Sequence, residues 1–363
     1  MRYLLWGAAI FAVFVAGRFA YQMTMASGAL ATLDTKLIDQ CRRVDIAPGT
    51  EDVTIDSELN LAFVSAADRR QWFNSPGAAE GVNPANGVYA LSLDGSDAVR
   101  RVSPEMENFL PHGISLWRGP DGAKHLFVVN HPPSGEEIVE IFDVGPEGGL
   151  THVESVSFAA MGSPNDVVGV GPRQFYATND KRYKSGLMST LEAYLSLPLT
   201  DVVYFDGEQG RSVKDGMTYA NGINQSLDGS KIYVAEFLRR HIAVFERDAE
   251  TGDLVRINTL RVNTAPDNIE VARDGALWIG GHSKVFDFIK HAEDPAAIAP
   301  SHVIRVNPDN GQADDVLIST KGEINGSSVG AVWDNTLIVG AVFDGHVMVC
   351  PMLEILLRGP ESQ

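Results

Sequence analysis

One phrase recurs six times along the chain, and few folds accommodate it. A polar residue or pair precedes an apolar strand start, then a short turn, then a second apolar strand. The copies begin at Glu51-Asp52-Val53, His112-Gly113-Ile114, Asn165-Asp166-Val167, Asn221-Gly222-Ile223, Asp267-Asn268-Ile269 and Ser327-Ser328-Val329, and their second strands read LAFVS, LFVVN, FYATN, IYVAE, LWIGG and LIVGA. Each copy is a strand, a hairpin turn and a strand. Successive copies start about 46 to 61 residues apart. A repeat of that length built from short strands, with about four strands per blade, is the signature of a β-propeller. The expected fold is therefore all-β, a six-bladed β-propeller. Hairpin grammar alone would give turns and strands, but it does not demand an apolar residue at the same place in all six copies.

The polar positions are chemically selected. Glu51, Asp52, Asn165, Asp166, Asn221, Asp267 and Asn268 offer carboxylate and amide oxygens, with no Lys or Arg among them, and His112 holds the same slot in the second copy. In a propeller, equivalent positions converge on the central channel. A cage of hard oxygens suits Ca²⁺, which takes six to eight such ligands, and Glu51 with Asp267 would match its two charges. His131 ends the strand that pairs with the one carrying His112, so the two imidazoles can meet and form a general base near neutral pH. Taken singly, Asn165-Asp166 also reads as an Asx-turn, Glu51-Asp52 as a solvated turn pair, and the two histidines as residues that merely flank one turn.

The rest of the chain sets the context. A formal charge of −18 argues against a nucleic-acid partner. Residues 1–30 form a separate unit, with the nearly uncharged run YLLWGAAIFAVFVAG between Arg2 and Arg18. We read it as a retained membrane helix, with a cleaved signal peptide as the alternative. Residues 31–363 then form one propeller, exported and lying on the extracytoplasmic side, either anchored or secreted. The two cysteines, Cys41 and Cys350, stand at opposite ends of that unit, where a disulfide would staple the ring shut; two independent thiols are the alternative. Asp68–Asn86, with Trp72 and Phe73, reads as a long lid or membrane-touching loop. Helical spacing within Tyr183–Pro198 predicts a short rim helix inserted between strands, and residues 288–301 read as a polar insertion. The segment after Cys350 is expected to be peripheral. The sequons at Asn224 and Asn325 are expected inside strands and unglycosylated. A serine nucleophile is not expected.

PGTED, PHGIS, VVNHP, PNDVVGVGP with FYATND, ANGIN with IYVAE, DNI before LWIGGH, and the ending GSSVGAVW…LIVGAVF…VMVC resemble the paraoxonase/arylesterase family over residues 1 to 352. That resemblance implies two calcium ions in the propeller tunnel. The catalytic ion would be held by Glu51, Asn165, Asn221, Asp267 and Asn268. The structural ion would be held by Asp52, Asp166 and the backbone carbonyl of Ile114. It further implies a His112–His131 dyad with His112 nearer the substrate, and a Cys41–Cys350 disulfide. Two features depart from the family. Gly281 stands where the family has a free cysteine, and the Asp68–Asn86 loop is unlike that of the animal members. The expected activity is calcium-dependent hydrolysis of lactones and aryl esters, with water activated by His112 and His131 or, alternatively, by a carboxylate such as Glu51 or Asp267. The rivals are a gluconolactonase-like or strictosidine-synthase-like propeller enzyme, and a non-enzymatic, calcium-stabilised, membrane-anchored binding module. Oligomeric state is not legible.

Overall fold

The computed structural model describes residues 2–74 and 82–352, and in the first two helices some side chains lie outside the description. Six four-stranded antiparallel sheets form the blades of a propeller. Their inner strands are Thr50–Asp56, Pro111–Arg118, Pro164–Gly169, Ala220–Gln225, Ala265–Val271 and Ser327–Trp333, the starts of the six repeated phrases. We number the blades one to six in that order. Each of the first five runs outward through four consecutive strands. Blade six takes its outermost strand, Arg42–Asp45, from the front of the chain, paired in register from Arg42↔Val349 to Asp45↔His346. Cys41 and Cys350 are disulfide-bonded across this seam, 309 residues apart in sequence.

The period-2 apolar pattern places its buried residues between neighbouring blades rather than in one central core. Phe63, Val88 and Ala90 of blade one pack against Leu126, Val128 and Phe142 of blade two. Val168, Tyr176 and Tyr204 of blade three pack against Ile223, Ile232 and Phe245 of blade four. Equivalent clusters fill the other four interfaces. Each fully buried large side chain contributes roughly 1.5–3 kcal/mol, so the ring is held by six similar apolar seams. The centre is left to polar groups.

Among the described residues four α-helices decorate the sheets: α1 (Arg2–Ser27), α2 (Arg69–Asn74), α3 (Gly186–Tyr194) and α4 (Val285–Glu293). The expected rim helix is α3. It is held by the buried Glu192, whose carboxylate accepts the backbone N–H groups of Arg182 (2.8 Å) and Tyr183 (3.0 Å). The polar insertion expected at residues 288–301 begins as helix: α4 runs through Glu293, with His291 and Ala292 buried. Its apolar positions recur at helical spacing, which the charges of HAED obscure. The expected lid begins with α2; residues 75–81, and the side chains of Trp72 and Phe73, lie outside the described residues. So does the segment 353–363 after Cys350. The apolar run at the N-terminus is helical as α1, but among the described residues no helix is long and apolar enough to cross a membrane. Asn224 lies in an inner strand as expected. Asn325 lies in the loop before Ser327, because its backbone N–H and the N–H of Ala299 bond to side chains rather than to a neighbouring strand.

Candidate active site and cation cage

Every inner strand breaks register at its polar position. The shifts fall between Thr50 and Asp52, Pro111 and Ile114, Pro164 and Val167, Ala220 and Ile223, Pro266 and Ile269, and Ser327 and Val329. A bulge re-aims the side chains it contains. Here six bulges turn the polar residues toward the axis; the ladder resumes at Asp52 in blade one and at the apolar residue after the polar pair in the other five. Two positions need glycine for this crowding. A Cβ on Gly113 would fall 2.3 Å from Asp166 Oδ1, and one on Gly222 would fall 2.3 Å from the Asp267 carbonyl oxygen.

The residues so gathered are buried: Glu51, Asp52, Asn165, Asp166, Asn221, Asp267 and Asn268. Four of their oxygens, Glu51 Oε2, Asn165 Oδ1, Asn221 Oδ1 and Asn268 Oδ1, have no hydrogen-bond partner among the described residues. Leaving a buried acceptor unpaired costs about 1–3 kcal/mol, and four of them on neighbouring strands make an acceptor-only cavity. The donors nearby have been turned away. Asn268 Nδ2 donates to Glu51 Oε1 at 2.8 Å, which leaves its carbonyl oxygen as the free end. Burial pushes the Glu51 carboxyl up to about 7; Arg69 and the Asn268 hydrogen bond oppose the rise, and the charge of Asp267 adds to it.

Below this set, Asp52 and Asp166 are each bridged to backbone. Asp52 accepts from Val53 N (2.8 Å) and Ile114 N (2.7 Å), and Asp166 accepts from Val167 N (2.7 Å) and Ile223 N (2.7 Å). Burial, then the neighbouring carboxylates Glu51 and Asp52 respectively, hold both carboxyls well above the ordinary range. A donor set of carboxylate and amide oxygens, partly unpaired and mutually repelling, fits a hard divalent cation such as Ca²⁺. The described residues contain no cluster of three or more His, Cys, Asp and Glu side chains spaced as metal ligands. The fit therefore rests on the amide oxygens of Asn165, Asn221 and Asn268 as much as on the carboxylates.

The two histidines meet. His112 Nδ1 lies 2.9 Å from His131 Nε2, and His112 Nε2 lies 3.7 Å from Glu51 Oε1, facing the cage. The relay continues through residues without a sequence signal: His131 Nδ1 lies 2.5 Å from Glu137 Oε2, and Lys184 Nζ lies 2.5 Å from Glu137 Oε1. Burial works to raise the Glu137 carboxyl, but the hydrogen bond and charge of His131, then those of Lys184, hold it below the ordinary carboxylate value. An ionised Glu137 accepts the proton of His131 Nδ1. His131 Nε2 is then a lone pair that accepts from His112 Nδ1, so a neutral His112 presents the Nε2 lone pair to the tunnel. Burial first, and then neighbouring charge led by Arg69, keep His112 well below the usual imidazole range, which favours the neutral ring.

Two further residues escaped the sequence reading. His282, 1% exposed, lies with Nε2 2.7 Å from Asp267 Oδ2 and its ring 3.8 Å from that of Phe288. It fixes one carboxylate oxygen and leaves the other for the tunnel. Arg69 reaches in from α2 to within 3.6 Å of Glu51 Oε2. The signal for His282 was its place at the end of the strand paired with Asp267, the slot His131 occupies opposite His112; for Arg69 there was none. Gly281 leaves no room for the family's cysteine, since a Cβ there would lie 2.7 Å from the Ala265 carbonyl oxygen. GSSVG at 326–330 matches the spacing of a nucleophile elbow. Ser328, however, is buried inside an inner strand and donates to the Glu51 carbonyl oxygen, with no strand-to-helix turn around it.

The family model described as Arylesterase matches residues 95–352. Human serum paraoxonase/arylesterase 1 is 32% identical over 311 residues, covering 82% of this chain and 84% of its own. Rat serum paraoxonase/arylesterase 2 is 34% identical over 247 residues, covering 66% and 68%. Among solved structures, a gluconolactonase from Xanthomonas campestris superposes with a TM-score of 0.54 at 18% identity, covering 90% of this chain and 92% of its own.

Proposed function

The chain belongs to the arylesterase family, and from that premise we propose that it is a calcium-dependent hydrolase of lactones and aryl esters. The observation that carries this reading is the row of four unpartnered buried oxygens beside a histidine whose lone pair faces them. Glu51, Asn165, Asn221, Asp267 and Asn268 would hold a catalytic ion, and Asp52, Asp166 and the Ile114 carbonyl a structural one. When bound, a divalent cation at the upper position supplies Lewis-acid polarisation of an ester carbonyl. The protein's own groups do the rest. His112 Nε2 takes a proton from water, and His131 holds His112 in the tautomer that can accept it. Glu137 holds His131 in turn, and His282 keeps Asp267 oriented. The attack needs no enzyme nucleophile. Two carboxylic esters fit one site because each passes through one oxyanion.

The rival sugar-lactonase reading shares the propeller, but at 18% identity that likeness concerns fold alone. The Glu137–His131–His112 relay, which gives a water-activating base, favours the ester and lactone reading over a binding module. An oxidising, extracytoplasmic compartment suits the Cys41–Cys350 disulfide, and the small-molecule substrate would reach the tunnel from the α2–α3 face.

The test is hydrolysis of phenyl acetate and of a δ-lactone by the full-length chain, with and without EDTA, beside Asp267→Asn. Turnover lost on chelation, restored by added calcium and absent in Asp267→Asn is the expected result. Full turnover in EDTA would overturn the calcium assignment. Calcium binding with no turnover of either substrate would favour the binding module.

A further inference from the structure

We propose that Arg69 is a built-in counter-cation of the tunnel, which holds the oxygen cage together without metal and weakens the grip on metal once it binds. This rests on the reading of the cage as a divalent-cation site. The side chain is 11% exposed and is aimed inward by the capping of α2. Asp68 Oδ1 accepts the Gln71 N–H at 3.1 Å, while Asn86 Oδ1 and Asn83 Nδ2 fix Asp68 itself. Arg70, the next residue, points away and bonds to the His291 carbonyl at 2.8 Å with its guanidinium over Phe343, so α2 is pinned at both sides.

The contacts of Arg69 are those of a clamp. One terminal nitrogen donates to the Gly49 carbonyl at 2.8 Å and the other to the Pro111 carbonyl at 2.7 Å. These carbonyls lie just ahead of Glu51 and His112, so the guanidinium sets the spacing of blades one and two at the site. Both terminal nitrogens are engaged by backbone carbonyls. Tying two carbonyls does not require a charge, and burying a guanidinium is costly unless charge opposes it. The opposing charge is present. The nitrogen on Pro111 also stands 3.6 Å from Glu51 Oε2, the unpartnered oxygen, in a tunnel that further holds Asp52, Asp166 and Asp267. Arg69 and an incoming cation therefore neutralise the same carboxylate, and each repels the other at short range in a poorly screened site.

The test compares the full-length wild type, Arg69→Gln and Arg69→Lys. Calcium affinity is measured by titration calorimetry in chelator-buffered calcium, and melting temperature with and without metal. We expect Arg69→Gln to bind calcium at least tenfold more tightly than wild type, to melt lower when metal-free, and to regain wild-type melting with calcium. Arg69→Lys, which keeps the charge without the fork, should bind within about threefold of wild type. Affinity that is unchanged or weaker in Arg69→Gln overturns the proposal, as does equal tightening in Arg69→Lys or a Gln variant that calcium fails to rescue. A wild type that binds no calcium would instead overturn the cation reading itself.

Discussion

Glu137→Gln isolates the part of the relay that lies outside the family motif phrases. Glu137 sits 2.5 Å from His131 Nδ1 and is 13% exposed, so its carboxylate is a poorly screened, charge-assisted acceptor. Hydrogen bonds to charged groups contribute about 1.5–3 kcal/mol. Glutamine keeps the shape and an acceptor oxygen but loses the charge, and its amide can also turn an N–H toward His131. At about 1.36 kcal/mol per factor of ten, kcat on phenyl acetate should fall roughly 10- to 100-fold, with KM nearly unchanged because Glu137 touches no substrate. A merely structural role would lower melting temperature in step with activity; a positioning role leaves it near wild type. The decisive comparison is the double variant. If Glu137 acts through His131, then His131→Gln with Glu137→Gln should be no slower than His131→Gln alone. Losses that multiply, or a Glu137→Gln variant at wild-type kcat, would refute the relay.

Three other perturbations probe the scaffold. Cys41→Ala/Cys350→Ala opens a loop with a sequence separation of 309 residues; chain entropy predicts a loss on the order of 5 kcal/mol in urea unfolding, and a loss under about 1 kcal/mol would mean the paired end strands alone close the ring. Gly222→Ala drives a Cβ to 2.3 Å from the Asp267 carbonyl oxygen and 2.6 Å from Asn268 Cα, both backbone, so calcium affinity and activity should fall together, by about 100-fold in rate; retained affinity would refute the close approach. Asp315, hydrogen-bonded to the buried His302 at 2.9 Å, is held down at about 2 by that bond. Its contribution is complete above the unfolded value of about 3.9 and is lost as pH falls toward 2. The carboxylate is 38% exposed, so screening cuts the effect to about 1 kcal/mol, and Asp315→Asn should flatten the acid limb of the stability curve by that amount.

Much of the fold was legible because the blade is a local object. A strand, a DG or related turn and a second strand are written in about fifteen adjacent letters, and six repetitions specify the ring. The gathering of polar residues was legible for the same reason: its side chains open four of the six phrases, at Glu51, Asn165, Asn221 and Asp267. Residues that reach the site from other levels were not. Glu137 lies six positions after His131 in a loop with no periodicity, and only three-dimensional folding brings it under the imidazole. Arg69 sat in a stretch that read as an irregular loop, and its inward aim depends on Asp68 capping a helix only six residues long. The membrane reading of the N-terminus rested on the apolar run after Arg2, which is helical as part of the 26-residue α1, while among the described residues no helix is long and apolar enough to cross a membrane. The helix α4 was missed although Val285, Phe286, Phe288, Ile289 and Ala292 recur at helical spacing, because a reading that starts at Phe288 meets mainly the charged and proline-containing tail.

The division of labour around the ring follows from which residues open each phrase. Blades one to five contribute oxygens or a backbone carbonyl to the proposed cation sites, whereas blade six opens on Ser327-Ser328, and Ser328 only donates to the Glu51 carbonyl. Cations at both proposed sites would together tie five blades and leave the sixth to other means. The sixth is where the chain closes, by the pairing of Arg42–Asp45 with His346–Val349 and by the disulfide. Metal, if it binds as proposed, and the disulfide would thus secure different parts of one circle. Chelation should loosen the centre and reduction the seam, and their costs in unfolding free energy should add, because Cys41 and Cys350 pack at the outer edge of blade six, away from every proposed ligand. Costs that overlapped would mean that the ring opens at one place whichever restraint is removed, and that the centre and the seam are a single cooperative unit.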